Sequence, residues 1–240
     1  TARCGDMSPF IEQAMLEGKI QQAFEFRPSQ SPILVSMPHS GLFVTPAVAA
    51  GLTESAKKLP DTDWYIPELY DFLESLGVGC IKANYSRYVI DLNRPYDDKP
   101  LYETKTTGLF PDILFADCPV FKATGEPDEA HKQLCKEQIW QPYHQGKSCD
   151  QSLAHVVTQV LNPNYSQVVN GRFKGGYITR EFGRPDANIH AIQLELSQAT
   201  YLVDELAEQQ SYQLDDAKLP AIKQQLKDVI EALLSLSFSS

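Results

Sequence analysis

Ile33-Leu34-Val35-Ser36-Met37-Pro38-His39-Ser40-Gly41 is the stretch on which the reading of this chain turns. It begins as a short apolar run of the kind that forms a buried strand. It stops at Pro38-His39-Ser40-Gly41, because proline cannot continue a central strand and glycine releases the backbone into a turn. His39 is therefore expected at the mouth of a strand, where open α/β sheets place their ligand sites. An imidazole there can bind a metal or move a proton. Its structural alternative is a histidine that only caps the turn.

Around that stretch lies an ordinary globular sequence. At 240 residues, 42% hydrophobic and 22% charged, it can bury a full core as a single domain spanning 1–240. A net charge of -10 and a pI near 4.9 argue against nucleic acid as a partner, since phosphates call for a basic face. A small anionic substrate stays compatible, because a few arginines in a cleft reverse the local field. No apolar run reaches membrane-spanning length, and the N-terminus lacks the basic-then-apolar order of a signal peptide. Cys4, Cys80, Cys118, Cys135 and Cys149 are scattered without a Cys-x-x-Cys pair, which reads as reduced thiols in a cytoplasmic protein. No feature specifies an oligomeric state.

Periodicity organises the rest into alternating helices and short strands. Ser8-Pro9 opens a helix that ends near Gly18, and Phe24 to Phe26 reads as an edge strand. Asp61-Thr62-Asp63-Trp64 opens a helix carrying Leu69, Phe72, Leu73 and Leu76, closed by Gly77. Val78 to Ala83 is the next strand, and Tyr85 to Pro95 a further strand with a polar end. A long excursion at about 96–126 follows; loops of that length inside compact domains are commonly functional. Helices are expected from Pro127 to Tyr143 and from Asp150 to Leu161. Val168-Val169 is a short strand before the glycine-rich turn Asn170 to Gly176. Ile189 to Leu196 alternates like a strand, and a last amphipathic helix runs from Asp215. The pattern is α/β: a layered sheet flanked by helices.

Several side chains stand out chemically, each with a structural alternative. Asp61 and Asp63 are natural helix caps, yet a carboxylate beside His39 would also serve zinc. Arg87 and Arg94 flank an apolar strand; a guanidinium fork suits a carboxylate, with Asn93 adding an amide, unless Asp91, Asp97 or Asp98 simply pairs with them. Glu195 shares a strand face with Gln193 and Ser197, a solvated face by default and a general base if it lines a cleft. Arg172, Lys174 and Arg180 add positive charge around a glycine-rich turn that lacks the Gly-Lys-Ser/Thr ending of a phosphate loop. His131, His144, His155 and His190 show no ligand-like pairing.

Together, Met37-Pro38-His39-Ser40-Gly41, Asp61-Thr62-Asp63-Trp64, Ser86 to Pro95, Asn170 to Arg180 and Gln193 to Gln198 occur in the order of one family. From about Leu34 to Asp204 the chain resembles the N-formylglutamate amidohydrolases, which release formate and glutamate in histidine degradation. That family is similar to the zinc carboxypeptidases and aspartoacylases, so the resemblance implies a three-layer mixed sheet flanked by helices. It implies a zinc site using His39 and an acidic residue of Asp61-Thr62-Asp63, with Asp63 preferred. Asn93 and Arg94, helped by Arg172 and Arg180, would hold the substrate carboxylates. Arg87 would face the developing oxyanion, and Glu195 would be the catalytic glutamate.

The physical logic is coherent: zinc acidifies a water and polarises the formyl oxygen, while Glu195 moves the proton to the leaving nitrogen. One departure stands out. The family carries an Asp-Ala-His-Ser strand supplying a second zinc histidine, between the counterparts of Gln141-Pro142-Tyr143-His144 and Ser148-Cys149-Asp150. Here Gln145 runs directly into Gly146, so a segment is expected to be missing at 145/146. The alternatives that follow are an inactive relative binding an acidic N-acyl amino acid, or a zinc deacylase of another N-acyl amino acid.

Overall fold

A computed structural model of the chain describes residues 22–100, 107–144, 175–184, 189–203 and 212–236. Its sheet has three strands in the order β1-β3-β2, with β1 at Phe24–Arg27, β2 at Leu34–Met37 and β3 at Gly79–Ala83. β3 is the middle strand, and its Gly79, Ile81 and Ala83 are buried while Cys80 and Lys82 are half-buried, the period of two that the pleat imposes. The Asn84 N–H donates to the Ala23 carbonyl, and Gly79 lies against the Arg27 carbonyl, so β1 runs antiparallel to β3. On the other side Gly79 N–H donates to Ile33, and a parallel bridge joins Phe43 to Tyr85, so β2 runs parallel. The fold is mixed α/β with a small mixed sheet.

The helices are α1 (Pro46–Gly51), α2 (Ile66–Leu69), α3 (Glu129–Cys135), α4 (Gln141–His144), α5 (Tyr177–Phe182) and α6 (Leu219–Leu234). Tight three-residue-per-turn segments lie at Ala56–Lys58, Asp71–Leu76 and Gln198–Thr200, and a π-turn at Lys136–Trp140 links α3 to α4. The chain divides into two compact units: Thr1–Glu25, Met37–Asp63 and Ile81–Gln145 make the first, and Phe26–Ser36, Trp64–Cys80 and Gly146–Ser240 the second.

In the first unit, α1 starts where Thr45 Oγ1 accepts the Val48 N–H, with Pro46 in the first turn. α3 starts on Asp128, whose carboxylate accepts the His131 N–H at 2.8 Å. Tyr88, Val89, Ile90, Leu92, Leu109 and Ile139 are among its fully buried apolar residues. In the second unit, the apolar stripe of α6 buries Ile222 and Leu226 against Leu69, Tyr201 and Leu202. Trp64 stacks on Tyr212 with centroids 4.9 Å apart, and the Tyr65 hydroxyl donates to the Tyr212 carbonyl.

Three sequence expectations are corrected. Tyr85 to Pro95 is no strand: Tyr85 makes one bridge, and residues 87–89 turn as the Val89 N–H donates to Ser86. A buried charge inside Val-Ile-Asp-Leu explains this, because Asp91 takes its hydrogen bonds from side chains and a nearby backbone N–H. Ile189 to Leu196 forms a bridge at Ile189 to Arg184 and is otherwise irregular. Its alternation still sorts the side chains: Leu194 and Leu196 pack on the second unit's core while Glu195 is exposed. The helix expected from Asp61 begins only at Ile66, with Tyr65 in the left-handed region at its start and Pro67 in its first turn. The expected elements at Ser8 to Gly18, Asp150 to Leu161 and Val168-Val169, and the 145/146 junction, lie outside the described residues.

Candidate active site

Met37 ends β2, and Pro38 and His39 make the turn. A side chain at Gly41 would collide with the Tyr85 carbonyl, so this loop can lie against residue 85 only because position 41 carries no Cβ. That close approach leaves His39 9% exposed, at the end of the strand where the sequence placed it.

The segment from Leu59 to Tyr65 brings the two aspartates in. Leu59 and Tyr65 both adopt left-handed backbone, with φ of 50° and 58°, a conformation that costs a non-glycine residue about 1 kcal/mol or more. Between them the Asp63 N–H donates to the His39 carbonyl at 3.0 Å. Asp63 Oδ2 lies 3.7 Å from His39 Nδ1. Asp61 turns elsewhere: its carboxylate accepts the Phe115 N–H at 3.1 Å, and burial raises its pKa above the ordinary value. Neither aspartate caps a helix. Of the two, Asp63 is the one beside His39.

Asp91 is fully buried and joins the other side chains. Its Oδ1 lies 2.7 Å from His39 Nε2 and accepts the Asn93 N–H at 2.8 Å. Its Oδ2 accepts from Arg87 Nη2 at 2.6 Å. Burial pushes the Asp91 carboxyl upward, but the His39 and Arg87 charges outweigh it and hold the group well below the usual carboxylate range. For His39, burial and Arg87 push the imidazole down; the Asp91 and Asp63 carboxylates outweigh both and leave it above its ordinary value. Arg87 is also fixed by donation to the Asp61 carbonyl at 3.3 Å and by the Phe115 ring, 4.7 Å from the guanidinium carbon.

The turn after Asp91 carries the substrate-binding candidates. Arg94 N–H donates to the Asp91 carbonyl, Arg94 Nε to the Thr107 carbonyl at 2.7 Å, and Nη2 to the Thr107 hydroxyl at 3.2 Å. Asn93 is buried and Arg94 half-buried. In the second unit, Gln193 donates to the Glu195 carboxylate and accepts the Gly176 N–H at 2.6 Å. Arg180 lies on α5, exposed, with its Nε donating to the Gly175 carbonyl. Arg172 lies outside the described residues. Sequence reading weighed Asp91 only as an ion-pair partner; its signal was a carboxylate between Ile90 and Leu92, four residues after an arginine.

The donor chemistry at His39 fits a cation. If Nε2–H donates to Asp91, Nδ1 keeps a lone pair that faces the Asp63 carboxylate, and two acceptors facing each other want a proton or a metal between them. His39 Nδ1 and Asp63 supply two donors. Among the described residues no set of three or more His, Cys, Asp or Glu side chains is arranged to hold a metal.

A sequence model of N-formylglutamate amidohydrolase matches residues 31–146 and 145–202, which together span well over half of the chain. The chain belongs to the N-formylglutamate amidohydrolase family. N-formylglutamate deformylases of Pseudomonas aeruginosa and Pseudomonas putida are each 40% identical to it, covering 90% of this chain and 97% of their own length. These comparisons run over 263 positions, more than the 240 residues of the chain, so at least 23 of them face a gap here. The crystal structure of N-formylglutamate amidohydrolase from Ralstonia eutropha JMP134 aligns with a TM-score of 0.71 at 16% identity, covering 89% of this chain and 98% of that one. A gene product of Agrobacterium tumefaciens aligns at a TM-score of 0.52 and 12% identity, covering 95% and 98%. Both likenesses concern the fold. The two parts of the family match meet at residues 145 and 146.

Proposed function

We propose that this chain is a zinc-dependent deformylase that hydrolyses N-formyl-L-glutamate to formate and L-glutamate, a reaction of histidine degradation in the cytoplasm. The observation that carries the reading is the His39-Asp63 pair buttressed by Asp91, in a chain 40% identical to relatives named N-formylglutamate deformylase. The finer fold assignment, a three-layer sheet of the zinc carboxypeptidase and aspartoacylase kind, belongs to the same proposal, as does a single domain over 1–240.

His39 Nδ1 and Asp63 would hold the zinc, which when bound supplies Lewis-acid polarisation of the formyl oxygen and acidification of a water. Glu195 is the proposed general base, taking the proton of the attacking water and returning it to the departing amine. Arg87 carries five N–H donors, of which Asp91 and the Asp61 carbonyl account for two; its charge favours the developing oxyanion. Asn93 and Arg94 would bind a substrate carboxylate from the turn anchored on Thr107, with Arg172 and Arg180 serving the second carboxylate of a small acidic N-acyl amino acid.

A second reading is favoured by one observation, the division of the family match into two parts at 145/146. A catalytic zinc site ordinarily has three protein ligands. With two, the chain would bind its acidic ligand without turning it over. The test is zinc content and formate release, measured on the chain as it stands and with the Pseudomonas aeruginosa segment inserted between Gln145 and Gly146. Formate release from the completed chain supports the deformylase. Failure of the completed chain to bind zinc or release formate would sink it.

A further inference from the structure

We propose that Trp140 is a positioning residue for Arg94: the π-turn at Lys136–Trp140 aims its indole N–H at the Arg94 carbonyl, and that hold keeps the guanidinium set for a ligand carboxylate. The inference rests on the reading of Arg94 as a substrate-carboxylate residue given above.

Arg94 is held at both ends of its backbone and along part of its fork. Its N–H donates to the Asp91 carbonyl, and its own carbonyl accepts Trp140 Nε1–H at 2.9 Å. Nε and Nη2 donate to the carbonyl and hydroxyl of Thr107, and Nη1 donates to the Asn93 carbonyl at 3.1 Å. These bonds use three of the five N–H donors and leave one on each Nη nitrogen, enough for a two-point contact with a carboxylate. Among the described residues the hydrogen-bond partners of the guanidinium are all neutral, so they orient the group without neutralising it.

The helix side of this hold is equally built. Trp140 is 7% exposed, and a buried indole N–H needs an acceptor. The Gln141 N–H reaches back to the Lys136 carbonyl, one residue further than an α-turn. That extra residue rotates the helix beyond it by about 100° and so sets where Trp140 points. The indole meets the Tyr96 ring edge-on with centroids 5.3 Å apart, and the His144 ring lies 4.2 Å away. Upstream on the same helix, Gln133 donates to the Tyr96 hydroxyl at 3.4 Å, and Lys136 Nζ lies 5.1 Å from the Tyr96 ring centre. Pro95, between the two gripped residues, has a fixed φ and no N–H. Residues 94–96 are thus clamped to one helix while the guanidinium is clamped to Thr107. A tryptophan that only fills the core acts alike with or without the Arg94 guanidinium; one that positions Arg94 acts through it.

The experiment removes the indole N–H from the full chain by Trp140→Phe and, as a closer isostere, by benzothienylalanine at position 140, which keeps the ring shape and lacks the donor. Both readings above bind N-formyl-L-glutamate, so calorimetry with that ligand is run on the chain as it stands, on W140F, on R94M and on W140F/R94M. In parallel, 1H–15N spectra follow water exchange of the Arg94 Nε–H, assigned by its loss in R94M. Expected are binding weakened about 3- to 10-fold by W140F where Arg94 is present, no further weakening in R94M, and faster exchange of the Arg94 Nε–H in W140F. An Nε–H that exchanges as slowly in W140F as in the wild type overturns the proposal, and so does an equal loss of affinity with and without Arg94. The isostere decides both points if W140F folds poorly. If the Nε–H responds to W140F but the wild type does not bind the ligand, or R94M binds it equally well, the positioning stands and the carboxylate reading of Arg94 falls. If R94M weakens binding while neither change at 140 alters affinity or exchange, the positioning falls and the carboxylate reading stands.

Discussion

Replacing Arg87 with methionine separates its two possible employments, a buried counter-ion for Asp91 or a guanidinium available to substrate. Its side chain is 5% exposed and that of Asp91 is not exposed at all, with 2.6 Å between them. Removing one partner of a buried pair costs about 3–5 kcal/mol, because the other charge is left without compensation. Asp91 would keep His39 and the Asn93 N–H, which moves the expectation to the lower end; loss of the Phe115 ring contact returns about 0.5–1 kcal/mol to it. The net expectation is a destabilisation of about 3–4 kcal/mol, a large part of the 5–15 kcal/mol typical of a domain. Methionine fills much the same volume, so the loss reports charge more than packing. Urea unfolding followed by the fluorescence of Trp64 and Trp140 measures it, provided the slope with denaturant is unchanged. The R87M/D91N double variant should recover about 1–2 kcal/mol of the loss, since no unpaired buried charge remains. A cost below about 1 kcal/mol for R87M would refute the reasoning and return Arg87 to the substrate.

Glu195 is exposed, so Glu195→Gln should abolish formate release from the active form while leaving the melting temperature within a degree or two; retained turnover would remove it as general base. Arg94→Met should weaken N-formylglutamate binding by about 2–5 kcal/mol in a KM or calorimetric measurement, whereas an unchanged affinity with lost stability would assign Arg94 to anchoring Thr107. Burial pushes the Cys135 thiol up to about 12, so Cys135 should resist iodoacetamide in the native protein and react on unfolding, as peptide mapping would show. Burial also lowers the pKa of His131, with Asp128 opposing; the unfolded chain binds that proton more readily, so stability should fall as pH drops through about 6.5, and His131→Asn should flatten the slope in urea titrations across that range.

What the sequence made legible was local and periodic. The run into Pro38-His39-Ser40-Gly41 specified a strand, its end and a histidine at its mouth, because proline and glycine act on the backbone wherever they stand. The α6 stripe was equally plain, since one face repeats at helical spacing over sixteen residues. Tyr85 to Pro95 reads as a strand in the sequence because Val89, Ile90 and Leu92 are apolar for the sake of the core, and composition does not tell a buried turn from a buried strand. The arginine question could not be decided from spacing. Arg87 and Asp91 stand four apart, and their pairing depends on a turn stabilised by contacts with Asp61, Leu109 and Phe115, which sequence distance does not encode. The left-handed residues Leu59 and Tyr65 carried no signal either, since neither is a glycine or asparagine; Leu59 is buried and the Tyr65 hydroxyl donates to the Tyr212 carbonyl, contacts that sequence does not encode.

The network around His39 and the junction of the two parts of the family match lie in different stretches of this chain. Among the described residues, the groups around His39, from Asp63 through Arg87 and Asp91 to the Phe115 loop, lie before residue 116. Those groups hold a buried carboxylate, a buried guanidinium and an imidazole in one network, and burying such charges is costly unless each is paired. Ion pairing alone does not require Asp63, which is partly exposed and contributes its carboxylate to the one ring nitrogen that Asp91 leaves open. Under the proposed zinc reading, His39 and Asp63 would supply two donors, and turnover would need a further one.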